Sequence, residues 1–222
     1  MHKKFKYGIP VILLIQIGGM GVVTFAVAIE IFSGKKISLK QRSTMQEAIS
    51  APKVGGIVRL TGFILKTTFL IELIASIIMA PTFCKEFGPL KGIWYSVFHS
   101  ISAFCNAGFD LMGCETPYSS LTHFSNTPVI NLTIMALIII GGIGFLTWDD
   151  ITINKLNIKR YRMQSKIIIM MTSFLILLPT LYFFFFEFSD TPVGERIWIS
   201  LFQAVTPRTA GFNTTDLTMI SE

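Results

Sequence analysis

Four apolar blocks divide this chain, at residues 10–32, 57–80, 128–148 and 166–186. A hydrocarbon core of about 30 Å takes about 20 apolar residues as a helix, so each block predicts a transmembrane span. Pro81 is expected to end the second. Two shorter amphipathic segments, residues 92–104 and 195–206, follow the second and fourth blocks. They are too short to cross a bilayer and predict half-helices that enter from one side and turn back. Each contains a tryptophan near its start (Trp94, Trp198) and runs into a polar loop bearing Ala-Gly-Phe: Cys105-Asn106-Ala107-Gly108-Phe109-Asp110, then Pro207-Arg208-Thr209-Ala210-Gly211-Phe212-Asn213. Irregular backbone at membrane depth survives only where it is buried in protein or lines water. Two such loops therefore point to a pore or binding site. Residues 33–56, between the first two blocks, are polar with modest helical character.

Composition supports the membrane reading. Half the residues are apolar, 14% are charged and Phe accounts for 20 of 222, against about a quarter charged in soluble domains. The net charge of +6 is a topology signal rather than a nucleic-acid footprint. Lys35, Lys36, Lys40, Arg42, Lys53, Arg59 and Lys66 face only Glu47 in and around the first loop; Lys155, Lys159, Arg160, Arg162 and Lys166 face Asp149 and Asp150 in another. The Ala-Gly-Phe loops carry just Lys85 and Lys91, then Arg196 and Arg208. By the positive-inside rule the basic loops are cytoplasmic and the Ala-Gly-Phe loops face outward. Lys3, Lys4 and Lys6 then lie on the outer side, a conflict that a start inside a longer protein would relieve.

The first block, with its basic start and Ala26-Val27-Ala28, imitates a secretory signal. A repeat argues against that. Gly18-Gly19-Met20-Gly21-Val22-Val23-Thr24-Phe25 returns as Gly141-Gly142-Ile143-Gly144-Phe145-Leu146-Thr147-Trp148, deep in the chain. Both stretches read as transmembrane helices whose small residues permit close packing and bending. Gly108 and Gly211 are 103 residues apart, Gly18 and Gly141 123. The fold class is thus an all-α polytopic membrane protein of tandem helix–half-helix–helix units, incomplete at both ends. Residues 1–54 hold the second helix of one unit and a cytoplasmic loop, 55–154 a second unit, and 155–222 part of a third.

The loop residues suit a partly dehydrated cation. Backbone carbonyls in an irregular loop replace a hydration shell. Gly108 and Gly211 allow positive φ, Ala107 and Ala210 allow close packing behind the loop, and Phe109 and Phe212 can wedge it against helices. The C-terminal ends of the half-helices add negative partial charge. Asp110 and Asp216 either enrich cations at an outer mouth or serve as solvated loop caps. Arg208 is awkward in a cation path and is expected to pair with a nearby acid or carbonyl. Glu72, mid-span, must face protein or water, as a helix contact or in a functional role. Cys84, Cys105 and Cys114 lack metal-ligand spacing; Cys105–Cys114 or Cys84–Cys114 bridges are conceivable beside free thiols. His99 and His123 have no ligand partners at suitable spacing. No phosphate-binding loop, paired carboxylates or activated nucleophile is present, so no enzyme is expected.

Residues 98–110 and 202–216, with both Gly-Gly-x-Gly-x-x-Thr-aromatic stretches, resemble the membrane subunit of the Trk/Ktr/HKT potassium transporters. Residues 139–151 and 206–212 look closest to the bacterial Ktr type. The resemblance implies four helix–pore-helix–helix repeats around one pore, each giving a filter loop with one key glycine whose carbonyls bind K⁺. Cys105, Asn106, Ala107, Gly108 and Phe109 would then form one filter loop, and Arg208, Thr209, Ala210, Gly211 and Phe212 another. Gly18, Gly19, Gly21, Gly141, Gly142 and Gly144 would be helix-packing glycines. It also implies a multi-pass protein of a bacterial plasma membrane, a homodimer, and a cytoplasmic nucleotide-binding regulatory ring. No cofactor is implied; K⁺ is the transported ion, with Na⁺ coupling left open. Two filters of four are missing, so the chain is expected to be a partial copy that does not transport alone. The competing class is a membrane scaffold or binding protein that uses the same repeats for packing.

Overall fold

A computed structural model describes residues 2–21, 24–26, 28–29, 33, 38–49, 56–114, 119–155 and 157–215. Eight α-helices carry the architecture among them: α1 (His2–Met20), α2 (Leu39–Ile49), α3 (Ile57–Phe87), α4 (Pro89–Phe104), α5 (Pro128–Gly142), α6 (Phe145–Asn154), α7 (Met163–Tyr182) and α8 (Val193–Val205). No strand occurs among the described residues. The fold is all-α, and α2 lies within the polar first loop.

Two spans are continuous helices of membrane-crossing length and apolarity, Val58–Phe87 and Met163–Glu187. The second ends in a π-helical turn, Phe183–Glu187, and its outer surface is almost wholly uncovered. That is the surface acyl chains would cover. The other two expected spans are interrupted. Residues 128–148 form α5 and α6, bent by 98° at a short break. In the block at 10–32, α1 stops at Met20. Gly21 and Gly144, the third glycines of the repeated motif, both sit at φ +82°, where a right-handed helix cannot continue. Each then accepts the first hydrogen bond of the next helical turn: Phe25 N–H to Gly21 O (3.0 Å) and Trp148 N–H to Gly144 O (3.3 Å). The motif breaks a helix rather than running through one.

Pro81 does not end its helix. It lies inside α3, which a membrane setting tolerates. The chain turns instead at Gly88 (φ 83°), immediately followed by Pro89 at the first position of α4. No outer loop separates the two helices, and α4 is 16 residues long where 12 or so were expected. At about 24 Å it still falls short of a bilayer. A Cβ on Gly92 would sit 2.4 Å from the Cys84 backbone, so glycine is what lets α3 and α4 lie flush from the corner onward.

The main core gathers Met79 and Phe83 of α3, Phe104 of α4, Ile130 and Ile134 of α5, and Phe202 of α8, closed above by Leu121 and Phe124. Lipid tails are as apolar as these side chains. Close packing and internal hydrogen bonds, rather than burial from water, hold such helices together.

Candidate ion-binding loops

Both half-helices present the same device at their C-terminal ends. From α4 the backbone leaves through Asn106 (φ 54°) and Gly108 (φ 69°). The Ser102 hydroxyl, in the last helical turn, donates to the Phe109 carbonyl at 2.7 Å. From α8 a 3₁₀ turn (Thr206–Arg208) leads to Gly211 at φ 78°. There the Thr206 hydroxyl donates to the Phe212 carbonyl at 2.6 Å. Each loop is thus closed by a hydroxyl tied to the carbonyl just past the glycine. Thr206 also offers its own carbonyl to the N–H groups of Thr209, Ala210 and Gly211. Neither Ser102 nor Thr206 stood out in the sequence. The signal is a hydroxyl five or six residues before the glycine, one register apart in the two copies.

The two loops touch. A Cβ on Gly108 would lie 1.6 Å from the Ala210 carbonyl oxygen, so the two backbones meet where only glycine fits. Asn106 bridges them. With its amide turned to satisfy both ends, it donates to the Thr209 hydroxyl (2.8 Å) and the Ile138 carbonyl (3.2 Å), and accepts from Gly142 N–H (3.3 Å). One side chain therefore joins both loops to the end of α5, just before the 98° bend. The motif glycines seat the first loop from two sides. A Cβ on Gly141 would fall 1.9 Å from the Phe104 carbonyl oxygen, and one on Gly19 2.3 Å from Cys105 Sγ.

The remaining residues divide. Phe212 is fully buried, but Phe109 is 57% exposed among the described residues. Ala210 is buried; Ala107 is half-buried. Asp110 accepts from the N–H groups of Met112 (2.8 Å) and Gly113 (3.3 Å), the geometry of a loop cap. Asp216 lies outside the described residues, as does the side chain of Cys114; Cys84 and Cys105 are free thiols. Among the described residues Arg208 meets neither an acid nor a carbonyl. Its guanidinium donates to the Thr172 hydroxyl on α7 at 3.3 Å, which draws it sideways. Glu72 makes the helix contact: its carboxylate accepts from the Gln16 amide of α1 at 3.0 Å, and its backbone carbonyl accepts from Ser76 and Ser100. Among the described residues no cluster of His, Cys, Asp or Glu could hold a metal ion.

Asp150 of α6 is buried against the N-terminus of α7. It accepts from Arg162 N–H (3.0 Å) and the Ser165 hydroxyl (2.6 Å), and lies 3.5 Å from the Arg162 guanidinium, which also reaches Asp149 at 2.8 Å. Negative charge at a helix N-terminus is favourable, and the cluster locks α6 to α7.

Comparison with known proteins places these loops in context. A family model described as TrkH, cation transport protein, matches residues 11–222. The Ktr system potassium uptake protein B of Bacillus subtilis is 39% identical over 97% of this chain and 49% of its own length. The potassium/sodium uptake protein NtpJ of Enterococcus hirae is 34% identical over 95% and 47%. The Ktr system potassium uptake protein B of Vibrio alginolyticus is 31% identical over 94% and 46%. The chain spans about half the length of the curated relatives it matches. Its apolar helices and bacterial relatives make it a bacterial plasma-membrane protein. It belongs to the TrkH cation transport protein family.

Proposed function

We propose that this chain supplies two adjoining filter loops of a K⁺ uptake pore. Cys105, Asn106, Ala107, Gly108 and Phe109 form one, and Arg208, Thr209, Ala210, Gly211 and Phe212 the other, with main-chain carbonyls toward the ion and the Arg208 side chain directed away to Thr172. The observation that carries the reading is the meeting of Gly108 with the Ala210 carbonyl at the ends of two half-helices, each loop closed by the same hydroxyl-to-carbonyl bond. Negative helix ends and paired carbonyl-rich loops are what a dehydrated monovalent cation requires. The relatives' names, which specify potassium uptake, support the choice of ion.

In this reading residues 55–154 are one helix–pore-helix–helix repeat, residues 155–222 part of the next, and residues 1–54 the end of the one before. Two loops cover part of an ion's circumference; chains about twice as long have the length to complete the ring. This chain by itself then does not transport. The complete assembly is a homodimer with a cytoplasmic nucleotide-binding regulator on its basic inner loops. The test is growth and Rb⁺ uptake on low K⁺ in cells stripped of their own K⁺ uptake, expressing the gene that carries this chain. Replacing Gly108 or Gly211 with a bulky residue should abolish K⁺ selectivity while the protein still inserts. Unchanged uptake and selectivity in both variants would refute the assignment.

A further inference from the structure

His99 lies on α4, one turn before Ser102, with no exposed surface. Its Nδ1 is 2.7 Å from the Tyr95 carbonyl oxygen. A carbonyl only accepts, so Nδ1 carries the proton. Its Nε2 accepts from the backbone N–H of Leu111 at 3.4 Å, and an N–H only donates, so Nε2 holds a lone pair. These two partners specify a singly protonated ring with both nitrogens directed. The ring faces also have partners. Phe83 of α3 stacks against it at 5.4 Å, and Phe212 lies 6.2 Å away at a tilt. Leu111 is three residues past Gly108, and Phe212 immediately follows Gly211. One buried side chain therefore touches the outgoing limb of both glycine loops and braces them against a continuous span. An apolar residue would fill this space equally well. The directed acceptor toward Leu111 is what packing alone does not require.

We propose that His99 is a positioning residue for both loops: its Nε2 fixes the limb after Gly108, its ring fixes Phe212, and together they set how well the loops discriminate K⁺ from Na⁺. The inference rests on the filter reading above. It concerns a residue that need not contact the ion.

Three substitutions in the gene product that carries this chain separate the roles. His99→Phe keeps a ring but removes the acceptor. His99→Gln extends a carbonyl oxygen about as far as Nε2, whereas His99→Asn reaches only the Nδ1 position. The readouts are the amount of membrane-inserted protein and the K⁺/Na⁺ uptake ratio by competition against Rb⁺. His99→Phe and His99→Asn should lower the ratio about fivefold, the equivalent of about 1 kcal/mol, and His99→Gln should restore at least half of the loss. If His99→Phe inserts normally and keeps the wild-type ratio, His99 only packs and the proposal fails. Should His99→Phe not insert, the Gln and Asn variants decide, and equal ratios in those two overturn it. Gly108→Ala runs alongside: an unchanged ratio there removes the filter reading itself, whereas a changed ratio there with unchanged His99 variants removes only this inference.

Discussion

Adjacent glycines in the repeated motif should respond in opposite ways to the same small change. Gly141 and Gly142 both close α5, and both would gain helix propensity as alanine, by up to about 1 kcal/mol. Their surroundings differ. At Gly141 the new methyl would sit 1.9 Å from the Phe104 carbonyl oxygen and 3.0 Å from Asn106 Nδ2; at Gly142 its nearest neighbour is Asn106 Nδ2 at 3.9 Å. An ordinary C···O contact is about 3.3 Å, so Gly141→Ala must push α5 and the end of α4 apart by more than an ångström. Both sides of that contact are backbone and neither can swing away. Overpacking of this kind costs about 1–3 kcal/mol; at a mid-range net loss of about 1–2 kcal/mol after the propensity gain, the melting temperature falls by roughly 2–8 °C for a chain of this size. Gly142→Ala should be neutral or slightly stabilising. The assay is thermal unfolding of detergent-purified protein followed by size-exclusion chromatography, with Rb⁺ uptake in cells as the functional counterpart. If Gly141→Ala melts as high as Gly142→Ala, the half-helix is not seated on the double glycine and the packing argument is wrong.

The loop-closing hydroxyls give a second expectation. Thr206→Val and Ser102→Ala each leave a carbonyl without its donor, at about 1 kcal/mol apiece, and uptake assays should show a lower K⁺/Na⁺ ratio with insertion intact. At the far corner, Asp150→Ala strips the acceptor from Arg162 N–H, its guanidinium and Ser165. Because Asp150 is buried, the loss should reach about 3 kcal/mol, whereas Asp149→Ala, at a partly open pair, should cost under about 1 kcal/mol; chemical or thermal unfolding ranks them. The two loop glycines should also differ from each other. Gly211→Ala meets no atom of the described residues within 4 Å and bears its positive φ, about 1–2 kcal/mol, while Gly108→Ala adds a collision with Ala210 and should show the larger loss of melting temperature.

Much of this architecture was legible in the sequence because bilayer physics is blunt. Block length alone located α3 and α7, and the short amphipathic segments with their terminal glycines located α4 and α8 to within a few residues. What escaped notice was local backbone state. Apolar character runs through Gly21 and Gly144 without change, so nothing in hydropathy reports a helix that stops there. Pro81 misleads in the opposite direction: proline breaks soluble helices, yet here it lies inside α3 and Gly88 with Pro89 makes the corner. Ser102 and Thr206 were hidden by register, since the copies align on glycine but place their hydroxyls one position apart.

The repeated motif holds together because its glycines do different work. The last of each trio (Gly21, Gly144) adopts φ +82° with no close tertiary neighbour among the described residues, so its requirement is conformational. One earlier glycine in each copy is steric, and it differs between copies: Gly19 meets Cys105 in one, Gly141 meets Phe104 in the other. Both contacts fall where α4 passes into the first loop, one from α1 and the other from α5. A shared sequence pattern has therefore been fitted to one target from two directions, which exact structural symmetry would not produce. The first Ala-Gly-Phe loop is gripped between two helix breaks, and Asn106 ties the second loop to one of them. The α5–α6 bend is thus linked to the first loop by backbone contact at Gly141 and to both loops by the Asn106 amide.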